Sequence, residues 1–227
     1  MRRALILAAV LLLVAILALR VDRGQLRRIF QGVPRRLPNA DLVLDGEAWR
    51  QAVAWEVRDG AFPAAWSWGD WRVVDGVLEG RDDHGDFAVY VCPFEHGGDF
   101  LLETRVRILP DSAGRVAEAH LLTRDSRELR HESGAVLFGG QRRISARHMV
   151  ERVDYVLRVI KPAEPVSEGD WHLLRFAVRG GRVQVWLDGT RVFRSEKRYP
   201  TGTYREPHFA VRNGVAQFSG FKIFVAF

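Results

Sequence analysis

Trp66 and Trp68, in "AFPAAWSWGDW" (61–71), stand two residues apart. On an extended backbone both rings fall on one side, about 7 Å from each other. That spacing suits neighbouring rings of a glycan, whose apolar faces and polar rim match amphipathic aromatics. The competing reading is that both rings plug one end of a β-sandwich, and Trp71, at the start of the next run, reads as packing. In "RVAEAHLLTR" (115–124), a strand would put Glu118, His120, Leu122 and Arg124 on one face and Ala117, Ala119, Leu121 and Thr123 on the other. A carboxylate, an imidazole and a guanidinium in one row would bind a polar ligand, and Glu118 with His120 is the candidate catalytic pair, as acid/base groups or metal holders. The plain alternative is a solvated sheet face.

Two further pairs share strand faces. His208 and Arg212 lie opposite Phe209 and Val211, and Gln184 and Trp186 lie opposite Val183, Val185 and Leu187. An outward Trp186 either marks a recognition surface or is covered by a loop or a second sheet. "RDDHG" (81–85) and "CPFEHGGDF" (92–100) place Asp82, Asp83, His84, Glu95, His96 and Asp99 in loops, where calcium is the ion such oxygens would hold. Neither spacing matches a dedicated metal motif, so turn chemistry is the stronger reading and no cofactor is otherwise expected. Cys92 is the single cysteine, which rules out an internal disulfide framework and reads as a small buried residue.

These residues need strands to position them, and strands are what the chain offers. Asp45-Gly46, Asp59-Gly60, Asp75-Gly76, Asp188-Gly189, Asn213-Gly214 and the pairs Gly97-Gly98, Gly139-Gly140 and Gly180-Gly181 tolerate the positive φ of tight hairpins. The runs between them alternate. In "DFLLETRVRI" (99–108), Phe100, Leu102, Thr104, Val106 and Ile108 share one face, while Glu103, Arg105 and Arg107 share the other. "WHLLRFAVRGGRVQVWLDGTRVF" (171–193) reads as three consecutive strands, and "HFAVRNGVAQFSGFKIFVAF" (208–227) as one more pair. Residues 115–131 have helical propensity, and a helix would dissolve the Glu118 row because i and i+2 point apart. Both neighbours are strands, so a strand to about Thr123 followed by a loop is expected. The total is about eleven to thirteen strands in two stacked antiparallel sheets.

The basic pI of about 10.1 does not indicate a nucleic-acid partner. Residues 1–36 carry eight arginines against the single acid Asp22, a net +7, so the +6 of the whole chain leaves −1 for residues 37–227. Basic charge confined to an arm removes the main reason for phosphate-backbone binding by the rest. That arm opens with two arginines and an uninterrupted apolar run, 4–19, whose helix would span roughly 24 Å and reach a membrane with the help of snorkelling arginines. Residues 1–20 therefore read as a membrane anchor or signal segment, 21–38 as a basic linker and 39–227 as one β domain. The positive-inside rule points the domain to the cytoplasm, whereas the export-like start favours the extracytoplasmic side, which is the expected location.

"WRVVDGVLEG" (71–80), "YVCPFEHGGDFLLETRVRI" (90–108), "WHLLRFAVRGGRVQVWLDGTRVF" and "GVAQFSGFKIF" (214–224) together resemble the concanavalin A-like lectin/glucanase superfamily. The chain looks most like the 3-keto-disaccharide hydrolase type of domain and, more loosely, like laminin G-like modules. The resemblance implies an all-β antiparallel jelly-roll sandwich, preceded here by one apolar helix, that binds or cleaves polysaccharide on its concave sheet. The Glu-x-Asp-x-x-Glu strand of the glucanases is missing, and the keto-sugar pattern is echoed only by Ser133-Gly134. The expected function is a membrane-tethered carbohydrate-binding domain using Trp66, Trp68, Arg124, Gln184, Trp186, His208 and Arg212. A hydrolase or lyase of modified glycosides and a non-catalytic protein-interaction module are the alternatives.

Overall fold

The computed structural model describes residues 41–56, 64, 66–92, 96–110, 114–124, 131–200, 203–204 and 206–226. The expected anchor and linker (1–38), the Asp59-Gly60 turn and Glu95 lie outside them. The described residues form eighteen strands and no helix. The first six are β1 (Asp41–Leu44), β2 (Glu47–Trp55), β3 (Trp66–Trp68), β4 (Asp70–Val74), β5 (Val77–Asp82) and β6 (Ala88–Val91). They are followed by β7 (His96–Gly97), β8 (Phe100–Leu109), β9 (Glu118–Arg124), β10 (Glu132–Phe138), β11 (Ile144–Val150) and β12 (Val153–Ile160). The last six are β13 (His172–Arg179), β14 (Arg182–Leu187), β15 (Thr190–Arg194), β16 (Thr203–Tyr204), β17 (Glu206–Arg212) and β18 (Gly214–Ala226).

The number exceeds the eleven to thirteen expected because short pieces such as β3, β7 and β16 carry too few residues to show alternation. One hairpin also escapes the glycine code. β11 and β12 are joined by Glu151 and Arg152 at φ 51° and 65°, a left-handed pair without glycine.

One sheet runs β1-β2-β18-β8-β13-β14-β15, with β5 on the first part of β18 and β4 on β5. The other runs β12-β11-β10-β9-β17-β6-β3, and both are antiparallel throughout. Alternation fixes which side of each strand goes inward, as in β8, where Phe100, Leu102, Val106 and Ile108 are buried in the main core. Ala119 and Leu121 of β9 join the same core, so residues 118–124 are a strand despite their helical propensity, because its inner face has a partner to bury against. The C-terminal run departs from expectation. β17 and β18 do not form a hairpin; Asn213 (φ 57°) turns the chain from one sheet into the other, and Phe209 then stacks on Phe218 across the core at 4.5 Å. Aromatic burial between layers outweighs the local hairpin signal of Asn213-Gly214.

Trp71 packs as expected, 5.2 Å from Tyr90 and 6.1 Å from Phe218, with its Nε1–H donating to the carbonyl of Trp68 at 3.0 Å. Its ring lies across Gly80, where an added Cβ would meet it at 2.6 Å. Gly80→Ala is therefore expected to destabilise the domain by about 1–3 kcal/mol through overpacking, read as a lower urea midpoint at unchanged slope. An unshifted midpoint would show that the ring moves aside freely.

Candidate functional site on the outer face of one sheet

The register of the second sheet assembles its outer face from strands far apart in sequence. Trp66 is level with Val91, and His208 is level with both Val91 and Leu122. The next row holds Trp68, Val89, Ala210 and His120. Arg124 sits beside Glu206 at one end of the face, and Glu118 beside Arg212 at the other. Seven of the nine residues singled out above thus share one surface: Trp66, Trp68, Glu118, His120, Arg124, His208 and Arg212. β3 and β9 are three strand spacings apart, about 14 Å.

The floor is recessed and the rim is aromatic. Val91, Leu122, His208 and Ala210 are buried although they point away from the main core, whereas Trp68 is 68% exposed, Phe87 41% and Trp66 40%. Phe87 meets His120 edge-on at 5.2 Å, and the Arg212 guanidinium lies over Phe87 at 5.2 Å. The Arg124 guanidinium lies 4.9 Å from the centre of the Trp66 ring while its Nε donates to Glu206 Oε2 at 3.0 Å. Trp66 therefore serves as a buttress for Arg124, and Trp68 is the more open ring.

Two titratable groups of the face, Glu118 and His208, are shifted from their ordinary values. His120 Nε2–H donates to Glu118 Oε2 at 3.2 Å, and this bond, with the nearby charges of Arg212 and Arg143, keeps the Glu118 carboxyl below the usual carboxylate range against the opposing effect of burial. His208 donates from Nδ1 to the Glu206 carbonyl at 3.1 Å, and burial pushes its pKa down to about 3, so it stands as a neutral imidazole in the floor. Glu132 accepts from Arg147 at 2.8 Å on the neighbouring strands, and Arg143 lies over the Phe138 ring at 4.1 Å.

Gln184 and Trp186 are not part of this surface. They belong to β14 in the other sheet, and both are buried. The β1–β2 hairpin covers them: Trp186 Nε1–H donates to Asp45 Oδ2 at 2.9 Å, Gln184 Nε2 to Glu47 Oε2 at 3.0 Å, and Trp49, Leu101, Ala177, Trp186 and Phe224 form a second small core. An aromatic on the outer face of a strand is exposed only where no other segment packs over it, and here one does.

Two of the loop acids, Asp82 and Asp99, do turn chemistry, and Asp83 lies 3.6 Å from Arg81 and 3.7 Å from Arg115. Asp82 Oδ1 accepts from the backbone N–H of His84 and Gly85, its Oδ2 accepts from Asn213 N–H at 2.8 Å, and Asp99 Oδ1 accepts from Gly180 N–H at 2.8 Å. His96 is buried, with Nε2 2.8 Å from Thr123 Oγ1. Among the described residues no group of three or more His, Cys, Asp or Glu side chains is placed to hold a metal ion. Ser133 is fully buried and its hydroxyl donates to His148 Nδ1 at 2.7 Å, which makes it a core tie.

A Ser–His–Asp row does occur elsewhere. His172 Nδ1 is 2.8 Å from Asp188 Oδ2, and its Nε2 is 3.1 Å from both the hydroxyl and the carbonyl oxygen of Ser167. The row clasps the loop at Ser167 to the β14–β15 turn, where Asp188 Oδ1 also accepts from the Leu173 N–H at 2.7 Å.

Phe87, Glu206, Glu132 and Arg147 were not anticipated. Glu206 stands two residues before His208 and Phe87 two before Val89, so extending each alternation by one step would have reached them. The cross-strand pair of Glu132 and Arg147 has no such signal.

No protein-family model matches the chain, and neither does the sequence of any curated protein. Solved structures do resemble it. The carbohydrate-binding module CBM66 from Bacillus subtilis aligns with a TM-score of 0.54 at 17% identity over 75% of this chain and 94% of that one. An endo-beta-1,3-glucanase from Pyrococcus furiosus aligns at 0.63 and 12% identity over 84% and 99%. The carbohydrate recognition domain of Emp47p aligns at 0.56 and 12% over 76% and 94%. What these structures share with the chain is the fold, an all-β sandwich of antiparallel sheets.

Proposed function

We propose that the domain binds a glycan on the outer face of the β12-to-β3 sheet. The observation that carries this reading is the convergence of exposed Trp68, Trp66 and Phe87 with the polar groups of Glu118, His120, Arg124 and Arg212 on one recessed surface. Open aromatic rings beside hydrogen-bonding groups fit a sugar, which has apolar faces and a polar rim. Two of the similar structures are a carbohydrate-binding module and a carbohydrate recognition domain, which supports the same reading. The apolar run 4–19 would tether the domain to a membrane, with the extracytoplasmic side as its place of action.

Trp68→Ala is expected to weaken retention of the bound oligosaccharide at least tenfold, about 1.4 kcal/mol, in a glycan array followed by titration calorimetry. Because the ring is largely exposed, its removal should change stability by no more than about 0.5 kcal/mol. Undiminished affinity would remove Trp68 from the site. A second reading, turnover of a modified glycoside, is favoured by the Glu118–His120 hydrogen bond; it requires product release that disappears in His120→Ala.

A further inference from the structure

Resting on the glycan reading, we infer that the ligand of this face is an uncharged glycan and that the Arg124–Glu206 pair is what excludes acidic ones. The face is rich in arginine, which by itself would favour uronates or sulfated sugars. Each of these arginines, however, already lies against a carboxylate, an aromatic ring or both. Arg124 donates to Glu206 at 3.0 Å and stacks on Trp66, and Arg147 donates to Glu132 at 2.8 Å. Arg212 and Arg143 stack on Phe87 and Phe138, and their charges help hold Glu118 ionised. Four guanidinium groups thus face three carboxylates, and His208 adds no charge.

The consequences for a ligand follow from the geometry. The side chains of Arg124 and Glu206 are only 16% and 19% exposed, so an acidic sugar at Arg124 would be drawn to the cation while meeting the carboxylate of Glu206 in a poorly solvated recess. A neutral sugar meets no such conflict. Its hydroxyls accept from guanidinium N–H groups and donate to carboxylate oxygens, and the existing pairs hold both partners in place for adjacent hydroxyls. The floor between Trp68 and His120, made by Val89 and Ala210, offers no charge to an acidic substituent. Exclusion here comes from a repulsive group as much as from an attractive one.

The test uses the full-length chain in a detergent without a sugar headgroup, applied to an array of neutral oligosaccharides and of uronate-containing and sulfated ones at 50 and 500 mM sodium chloride. Retention of neutral members, with affinities that change less than about twofold across that salt range, is the expected result. Binding confined to acidic members and weakened tenfold or more by salt would overturn the inference while leaving the glycan reading intact. Silence across both panels would overturn the two together. Glu206→Gln removes the repelling carboxylate, so at 50 mM salt it is expected to raise affinity for the best uronate oligosaccharide at least tenfold. An unchanged uronate affinity in a variant that melts like the parent would show that Glu206 is not the gate.

Discussion

Lowering the pH from 7 to 5 is expected to remove several kcal/mol of folding stability from the domain, well before its carboxylates titrate. Burial pushes the pKa values of His96 and His208 down to about 3, against 6.5 for a free imidazole. Between those two values the unfolded chain binds protons that the folded chain refuses, so stability rises with pH across the window and falls on acidification. Above pH 6.5 both states are neutral and the contribution is complete; below about 3 both are protonated and the loss levels off. Each imidazole carries about 1.4 kcal/mol per pH unit, so the two together would withdraw about 4 kcal/mol by pH 5. That is a large share of the 5–15 kcal/mol typical of a domain. Glu118, Glu79 and Glu103, whose pKa values are lowered by their partners, add their own loss only below about pH 4.5. Urea midpoints measured from pH 7.5 to 5 read this directly. His148, also lowered by burial, adds to the same slope; a flat profile would mean that these rings reach solvent or a proton acceptor, and replacing His208 by Gln should make the slope distinctly shallower.

Glu103→Ala is expected to cost about 3–5 kcal/mol, although Glu103 has no part in the proposed site. Its carboxylate is nearly buried on the outer face of the first sheet, accepting from Arg175 Nε at 2.6 Å and from Lys222 Nζ at 2.7 Å. These partners hold its pKa down against the strong opposing effect of burial. Removing it leaves the Arg175 guanidinium, 13% exposed, without its counter-charge. Lys222 is 40% exposed and can turn to water, so most of the loss belongs to Arg175. A double-mutant cycle separates the origin. Replacing Glu103 and Arg175 together by Met should recover most of the stability, because an apolar pair of similar size avoids both desolvation penalties. If the single variant unfolds at the parent's urea concentration, the pair is screened by water and contributes little.

The residues of the site were legible in one respect and hidden in another. Trp66 with Trp68, Glu118 with His120 and Arg124, and His208 with Arg212 share faces because side chains alternate along each strand, a rule that needs only sequence separation. The same rule grouped Gln184 with Trp186 correctly as neighbours, yet it had no means of detecting the β1–β2 hairpin that buries them more than 130 residues from its own position. Glu206 was missed although one further step along the same alternation leads to it.

What the chain's sequence determined by itself was local: strands between turn residues, the inward or outward side of each residue, and the confinement of basic charge to the first 36 positions. The tertiary structure alone decided which faces meet. β17 left the expected hairpin with β18 and settled between β6 and β9, which brought His208 and Arg212 beside Arg124 and Glu118 and put Trp66 and Trp68 on the same surface. Pairing between distant strands is selected by the burial of whole faces against one another, Phe209 against Phe218 among them, and that energy belongs to no single stretch of chain.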